Sequence, residues 1–455
     1  MTLLEGVVGA PRSLLELATS LGRACLGDAA LLHENLKNPV LHETVEELAT
    51  LVRARGAQAW LQQPPPGGYV ALLDTPKVHA TLAELQSLDP ASHLGILRGL
   101  LAPALDRFFD DLRGPITLAR GMPIPNATRR VQDLFGKTCT PYQQTITARE
   151  LLGRTGFDLF HDSDPRIGVT IDFSHSDKLD ALTWPKRKLP RVATVHPRLD
   201  GKRLDFKVSG DRVFDVKPEP WSLQGTLAQL TAVASAHIAM LPELCLPSAG
   251  ALAAALASTP SRYSPIVVAG SAHERINAGG KRSSINESRV YIDGQQVLSH
   301  KKIRPLETKH LGNDTFEQML HEDLSPTQDS ITLLSGEKTR MAVMICADIN
   351  DSAIVRVLEE CGVNLLLVPS LTYKTGAFNG AVCQLASHCQ ALCVVANPIL
   401  DRLKGARRAP FLVLAAVPRA GANEQSQEYF RPRTRTAARA MLDPNRPLAA
   451  ALSWI

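Results

Sequence analysis

The sequence predicts a chain in two parts: a mainly α-helical first domain over residues 1–185, and an α+β domain from about residue 190 to the C-terminus. Three observations carry this prediction. Apolar residues recur at helical spacing early in the chain, a polar stretch broken by proline follows, and short β-branched runs then alternate with helical segments. The clearest early helix lies at 97–112, where Leu97, Leu101, Leu105, Phe108 and Leu112 return every three or four residues with Asp106, Asp110 and Asp111 between them. That spacing gives one apolar and one charged face. Shorter patterns of the same kind cover 11–24, 40–54 and 78–88, and the run Pro64-Pro65-Pro66-Gly67-Gly68 marks a loop, since neither residue type sustains a regular element. RIGVTIDF at 166–173 reads as a single strand. SHSDKLDALTWPKRKLP, which follows, is polar, basic and twice interrupted by proline, which makes it the candidate linker.

Beyond the linker the apolar runs shorten. Val192–Val195, His237–Leu241, Ile266–Gly270, Arg289–Ile292, Met341–Ile345, Asn364–Val368 and Leu392–Ala396 have the length and composition of strands, and 222–236, 351–361 and 379–390 those of helices. Asp293-Gly294 is a two-residue hairpin signal. From about 401 the chain reads as a basic C-terminal extension, with ten Arg or Lys against four Asp or Glu. Such a segment is a solvated tail in its plainest reading and an attractor of acidic protein surfaces or nucleic-acid phosphates in its sharper one.

Composition narrows the class of protein. At 44% hydrophobic and 21% charged residues, the 455-residue chain has enough apolar surface for ordered cores. Its eight cysteines include no CxxC pair, so neither a zinc site nor a disulfide scaffold is expected, and no metal or cofactor is implied. The N-terminus lacks the basic start and unbroken apolar run of a secretory signal. The most apolar long stretch, Leu227 to Leu246, holds Gln229, His237, Pro242 and Glu243, residues too costly for hydrocarbon. A cytoplasmic protein with no membrane span is the expectation.

Three residues stand where sheet proteins do chemistry, at or just past strand ends. Glu243 follows an apolar strand stopped by Pro242, which leaves a carboxylate at the strand tip, suited to general-base work. Lys302 closes the hairpin RVYIDGQQVLSHKKIRP, where a fixed ammonium would stabilise an oxyanion and keep a nearby thiol ionised. Cys346 ends the run MAVMI and is followed two positions later by Asp348. Each alone reads as readily as a surface glutamate, a basic loop and a small core residue. The order Pro-Glu, hairpin Lys, strand-end Cys is the more demanding feature.

These residues and their surroundings resemble the carbon–nitrogen hydrolase superfamily, usually named after nitrilase. The likeness runs through LPE at 241–243, VVAGSAHER at 267–275, HKKIRP at 300–305, MAVMICADI at 341–349, NLLLVPS at 364–370 and QALCVVANP at 390–398, over roughly residues 190–400. It implies a four-layer α-β-β-α sandwich in which Glu243 is general base, Lys302 stabilises the tetrahedral intermediate and Cys346 is the nucleophile. It also implies a second glutamate between Lys302 and Cys346, for which Glu322 is preferred over Glu307 and Glu317. Ala347-Asp348 in place of Trp-Glu after the cysteine points to an amide or carbamoyl substrate rather than a nitrile. ETKHLGNDTFEQMLHEDLSPTQDS, starting at 307, is an insertion with the length of a lid or interaction loop. Family habit implies a homo-oligomer. The first domain is left to bind a protein partner, and the alternative to an enzyme is a catalytically silent scaffold or a defence effector.

Overall fold

The computed structural model describes residues 114–119, 123–125, 157–160 and 164–454, the last apart from 184–188, 200–204, 218–222, 247–248, 279–280, 312–313, 325–328, 337, 373–375, 390, 401–410, 418–424, 431–436 and 443–449. The chain divides into two compact units, Met1–Asp162 and Ser163–Ile455. The described part of the first is three short strands, β1 (Pro115–Thr117), β2 (Pro123–Pro125) and β3 (Phe157–Leu159), of which β2 and β3 pair antiparallel. The helical pattern of the N-terminal domain, at 11–24, 40–54, 78–88 and 97–112, lies outside the described residues.

The second unit is a mixed α/β structure with several sheets. It begins before the expected linker. β4 (Gly168–Asp172) pairs parallel with β14 (Ser330–Ser335), and the supposed linker carries helix α1 (Ser176–Thr183). Asp180 of α1 accepts backbone bonds from Lys338 and Thr339, and Leu179 is fully buried. The polar residues that suggested a linker are thus the outer face and the anchoring carboxylate of a docked helix.

One sheet continues from β14 through β15 (Arg340–Val343), β16 (Leu365–Pro369), β17 (Leu392–Ala396), β19 (Phe411–Val417) and β20 (Gln425–Phe430). Its centre, β15–β16–β17, is parallel and buried at every position, which is why those segments read as unbroken apolar runs. Helices α4 (Ser352–Glu360) and α5 (Gly376–His388) pack together beside it. The second sheet runs in the order β11 (Gln295–Lys301), β10 (Lys281–Ile292), β9 (Ile266–Ala278), β8 (Ile238–Met240), β5 (Val192–Leu199), β21 (Ala437–Leu442) and β22 (Ala450–Trp454), with β18 (Ile399–Leu400) against β5. Alternate residues of its central strands, Ala193, Val195, Ala239, Val267 and Ala269, form one core with Leu230 of α2 (Leu223–Ala232) and Leu252 and Leu256 of α3 (Ala249–Ser258). The sheets meet through β14 against β11, β16 against β9 and β17 against β5. The segment after 401 supplies closing strands to both sheets.

A third, four-stranded sheet joins two hairpins remote in sequence: β6 (Asp205–Ser209) with β7 (Arg212–Lys217), and β12 (Glu307–Leu311) with β13 (Asp314–Glu322). β13 lies parallel to β7, with Glu322 opposite Val213. The insertion read as a lid is half of this small sheet. Val213, Val216 and Leu320 form its core together with Leu244, the residue after Glu243.

Candidate active site

Glu243 is placed by a turn clamped to its neighbour strand. Pro242 has no N–H to extend β8, and the chain reverses through Leu244 at φ +58°. Leu241 N–H donates to Val268 O, Leu244 N–H to Ser271 Oγ and Leu246 N–H to Ser271 O. Gly270, at φ +73°, permits this approach: a Cβ there would sit 2.3 Å from Pro242 O. The 241–243 and 267–271 motifs are two sides of one clamp.

Lys302 comes from just past β11, an edge strand of the same sheet. Asp293 at φ +49° and Gly294 at φ +77° make the tight turn that sets the β10–β11 register. That register turns Ser284, Asn286, Ser288 and His300 inward, all of them buried. Lys302 N–H donates to Asn286 O at 2.8 Å, and Asn286 lies opposite His273 on β9. His273, Asn286 and Lys302 therefore form one row across three strands, on one face.

Cys346 follows the fully buried β15 and opens a short 3₁₀ turn, Cys346–Asn350, at φ +45°. A side chain other than glycine is strained there, and such strain persists only where the surroundings enforce it. Asp348 does the enforcing. Its Oδ2 accepts from Ile345 N and His300 Nε2, each at 3.0 Å, and its Oδ1 accepts from Ile303 N at 2.9 Å and Arg304 N at 2.8 Å. One fully buried carboxylate thus ties the loop after Lys302 to the turn that presents Cys346. On the other side, Asn397 at the end of β17 exchanges bonds with Thr372 N and O, which fixes the segment 370–372 beside the sulfur.

Together these elements make a buried polar network. Lys302 Nζ donates to Glu243 Oε1 at 2.8 Å and to Glu322 Oε2 at 2.7 Å. Asn286 Nδ2 donates to Glu243 Oε1 at 2.9 Å and Glu322 Oε1 at 3.1 Å. Glu322 receives two further donors, His273 Nε2 on Oε1 at 2.7 Å and Leu306 N on Oε2 at 2.8 Å. Both oxygens of Glu322 therefore accept twice, whereas Glu243 receives both of its donors on Oε1 alone. Burial opposes the charge on Lys302, but Glu243 and Glu322 override it and hold the ammonium well above the ordinary lysine range. Burial likewise opposes the charge on Glu322, and Lys302 and His273 reverse it, holding that carboxyl below the usual carboxylate range.

The Cys346 thiol behaves differently from the sequence expectation. Burial and the charge of Glu243 push it up to about 12, against the weaker opposing pull of Lys302. The sulfur donates to Leu371 O at 3.9 Å and accepts from Ser370 Oγ at 3.6 Å. Lys302 does not keep it ionised at rest, because two carboxylates already neutralise that ammonium.

Of the three glutamates weighed for the second acid, Glu322 meets Lys302. Glu307 is exposed beside His321, and the side chain of Glu317 lies outside the described residues. A cavity of about 380 Å³ opens on Lys302 and Glu322, walled also by Asp211 and Arg212 of the β6–β7 turn. Among the described residues no three His, Cys, Asp or Glu side chains group to hold a metal ion, and no helix is long and apolar enough to cross a membrane.

The chain is similar in shape to solved nitrilase-superfamily structures. Nit3 of Saccharomyces cerevisiae, a member of branch 10 of that superfamily, is 16% identical with a TM-score of 0.37, over 56% of this chain and 92% of its own. An amidase from Nesterenkonia sp. is 15% identical with a TM-score of 0.34, over 54% and 91%. Neither a family model nor a curated protein matches the sequence. Likenesses this slight decide no chemistry, which rests here on the side chains themselves. Sequence reasoning missed Asn286 and His273 as members of the network and Asp348 as the carboxylate that ties the Lys302 loop to the Cys346 turn. The inward alternation along β10 and the Asp two places after the cysteine were the signals for two of them. Nothing local marked His273, since its partners lie on the small sheet.

Proposed function

We propose that the second unit is a cysteine hydrolase of a non-peptide carbon–nitrogen bond, folded as a four-layer α-β-β-α sandwich and acting on an amide or carbamoyl compound. The observation that carries this reading is the meeting of Glu243, Lys302 and Glu322, drawn from three remote segments, in one buried network whose charges act on Cys346. In the proposed reaction Glu243 Oε2, the oxygen that accepts no bond from the described residues, takes the thiol proton as the sulfur attacks the carbonyl carbon. The third N–H of Lys302 and nearby donors meet the developing oxyanion. Collapse breaks the C–N bond, Glu243 returns its proton to the departing ammonia or amine, and a thioester remains on Cys346. Water then gives a proton to Glu243 and its oxygen to the acyl carbon, and the thiolate recovers that proton as the acid leaves.

Glu322 has no free lone pair for proton transfer and acts as the anchor of Lys302. The same reading makes the protein cytoplasmic, in keeping with free thiols at Cys245, Cys346 and Cys361, and homo-oligomeric. Ammonia release from a panel of small amides and carbamoyl compounds tests the proposal, with wild type and Cys346→Ala compared. Turnover by wild type and none by the variant is the expected result. Turnover that survives in Cys346→Ala removes the sulfur from the chemistry, and an inactive wild type leaves the silent scaffold.

A further inference from the structure

His273, like Asn286, belongs to the buried network without a part in the reaction above. Its side chain is 1% exposed and contacts groups from both hairpins of the small sheet. Val216 N–H, on β7, donates to Nδ1 at 3.1 Å. Nδ1 must therefore carry a lone pair, and the ring proton sits on Nε2. That Nε2–H points at Glu322 Oε1, at the end of β13, 2.7 Å away. One neutral imidazole on β9 thus pins β7, orients Glu322 and, through Glu322 Oε2, sets where Lys302 Nζ points.

We propose that His273 is a positioning residue for the hydrolase reaction, and that its Nε2–H tautomer, selected by the Val216 amide, holds Glu322 in the orientation that aims the Lys302 ammonium at the reacting carbonyl. The inference rests on the proposed function, but the latch can also be read without turnover. A loosened Glu322 lets Lys302 move by a fraction of an ångström. The loss then falls on the transition state, where the oxyanion forms, more than on substrate binding.

The test compares His273→Phe, which fills the site without a donor, with His273→Gln, whose amide N–H can replace Nε2–H. Leu320→Ala serves as a control that weakens the core of the small sheet without touching a partner of Glu322. His273→Phe is expected to lower kcat by about 10- to 100-fold with KM within about threefold. His273→Gln should recover to within about fivefold of wild type, because it restores the donor. Leu320→Ala should lower Tm but keep kcat per folded molecule. An undiminished kcat in His273→Phe overturns the proposal. So does an equal loss in Leu320→Ala, which would make the histidine a structural pin only. A wild type that turns over no amide sinks the hydrolase reading alone. The latch is then judged from the ¹⁵N shifts of the ring at pH 7: an Nε2–H ring with Nδ1 as acceptor supports it, and a proton on Nδ1 overturns it.

Discussion

Replacing Lys302 with Met tests whether the network is held together electrostatically, without reference to any substrate. In the wild type two buried carboxylates share one ammonium at 2.8 and 2.7 Å and one amide, Asn286. Lys302→Met leaves Glu243 and Glu322 facing each other across Asn286 with no cation between them. Removing one partner of a buried ion pair costs about 3–5 kcal/mol, because the remaining charge stays desolvated. The variant has a way to relieve this cost. One carboxyl takes a proton, its value raised by the neighbouring charge and by burial.

The sign of the resulting pH dependence separates this account from a simple packing loss. In the wild type the Glu322 carboxyl is held below its unfolded value, so its contribution is complete above about pH 5 and is lost only on further acidification. Lys302 is held above its unfolded value, so its contribution is present below about pH 10 and is lost only in stronger alkali. These two groups therefore add no slope to wild-type stability between pH 5 and 8. In Lys302→Met the native state binds one more proton than the unfolded chain throughout that window, up to the raised carboxyl value. Its stability should fall by about 1.4 kcal/mol per pH unit. Urea titrations of both full-length proteins at pH 5, 6, 7 and 8 measure this directly. Parallel stability curves would mean that no second buried carboxylate is being forced to protonate, and the network described above would be wrong.

Glu243→Gln should separate two properties of Cys346 that usually travel together. Removing the carboxylate charge lets the thiol fall from about 12, so iodoacetamide labelling of Cys346 at pH 8 should quicken by about tenfold or more, while amide turnover drops by about 10²- to 10⁴-fold. Labelling that slows along with turnover would contradict the electrostatic account. Asp348→Asn turns an amide donor toward at least one of the four donors that the carboxylate now satisfies. It should lower stability by about 1–3 kcal/mol and reduce turnover, read from denaturation midpoints and kcat. Unchanged values for both would deny that this residue ties the Lys302 loop to the cysteine turn.

The parts of the fold legible in the sequence were those whose burial is two-sided or whose turns demand particular residues. β15, β16 and β17 are apolar throughout because both faces are covered, and Asp293-Gly294 announces its hairpin through two positive φ angles. The small sheet was not legible. DFKVS and DTFEQMLHE are polar strands with a narrow core, and β7 meets β13 across about a hundred residues of chain, a pairing no local pattern encodes. α1 was hidden for a related reason. Its polar residues anchor a neighbouring loop, so they carry the composition of a linker. Glu243, Lys302 and Cys346 could be picked out because each sits at a strand end. His273 could not, because it lies inside a long strand and its partners are on another sheet, and Asn286 was marked by nothing more than the alternation of polar residues along β10.

The accounting of charge explains why the cysteine rests as a thiol. A lone buried ammonium beside a thiol would favour the thiolate, but Lys302 already satisfies two carboxylates, and Glu243 adds a negative charge of its own near the sulfur. The network carries one negative charge more than positive even before Cys346 ionises. A proton leaving the sulfur for bulk water would add a second uncompensated charge to a dry site, which the low polarity there penalises. A proton passing from sulfur to Glu243 adds none, since the carboxylate is neutralised as the thiolate forms. In the proposed reaction this charge balance favours nucleophile generation by internal transfer, at the moment a carbonyl oxygen arrives to take the sulfur's charge toward Lys302. A thiol pushed up to about 12 should react slowly with alkylating agents while no carbonyl is bound.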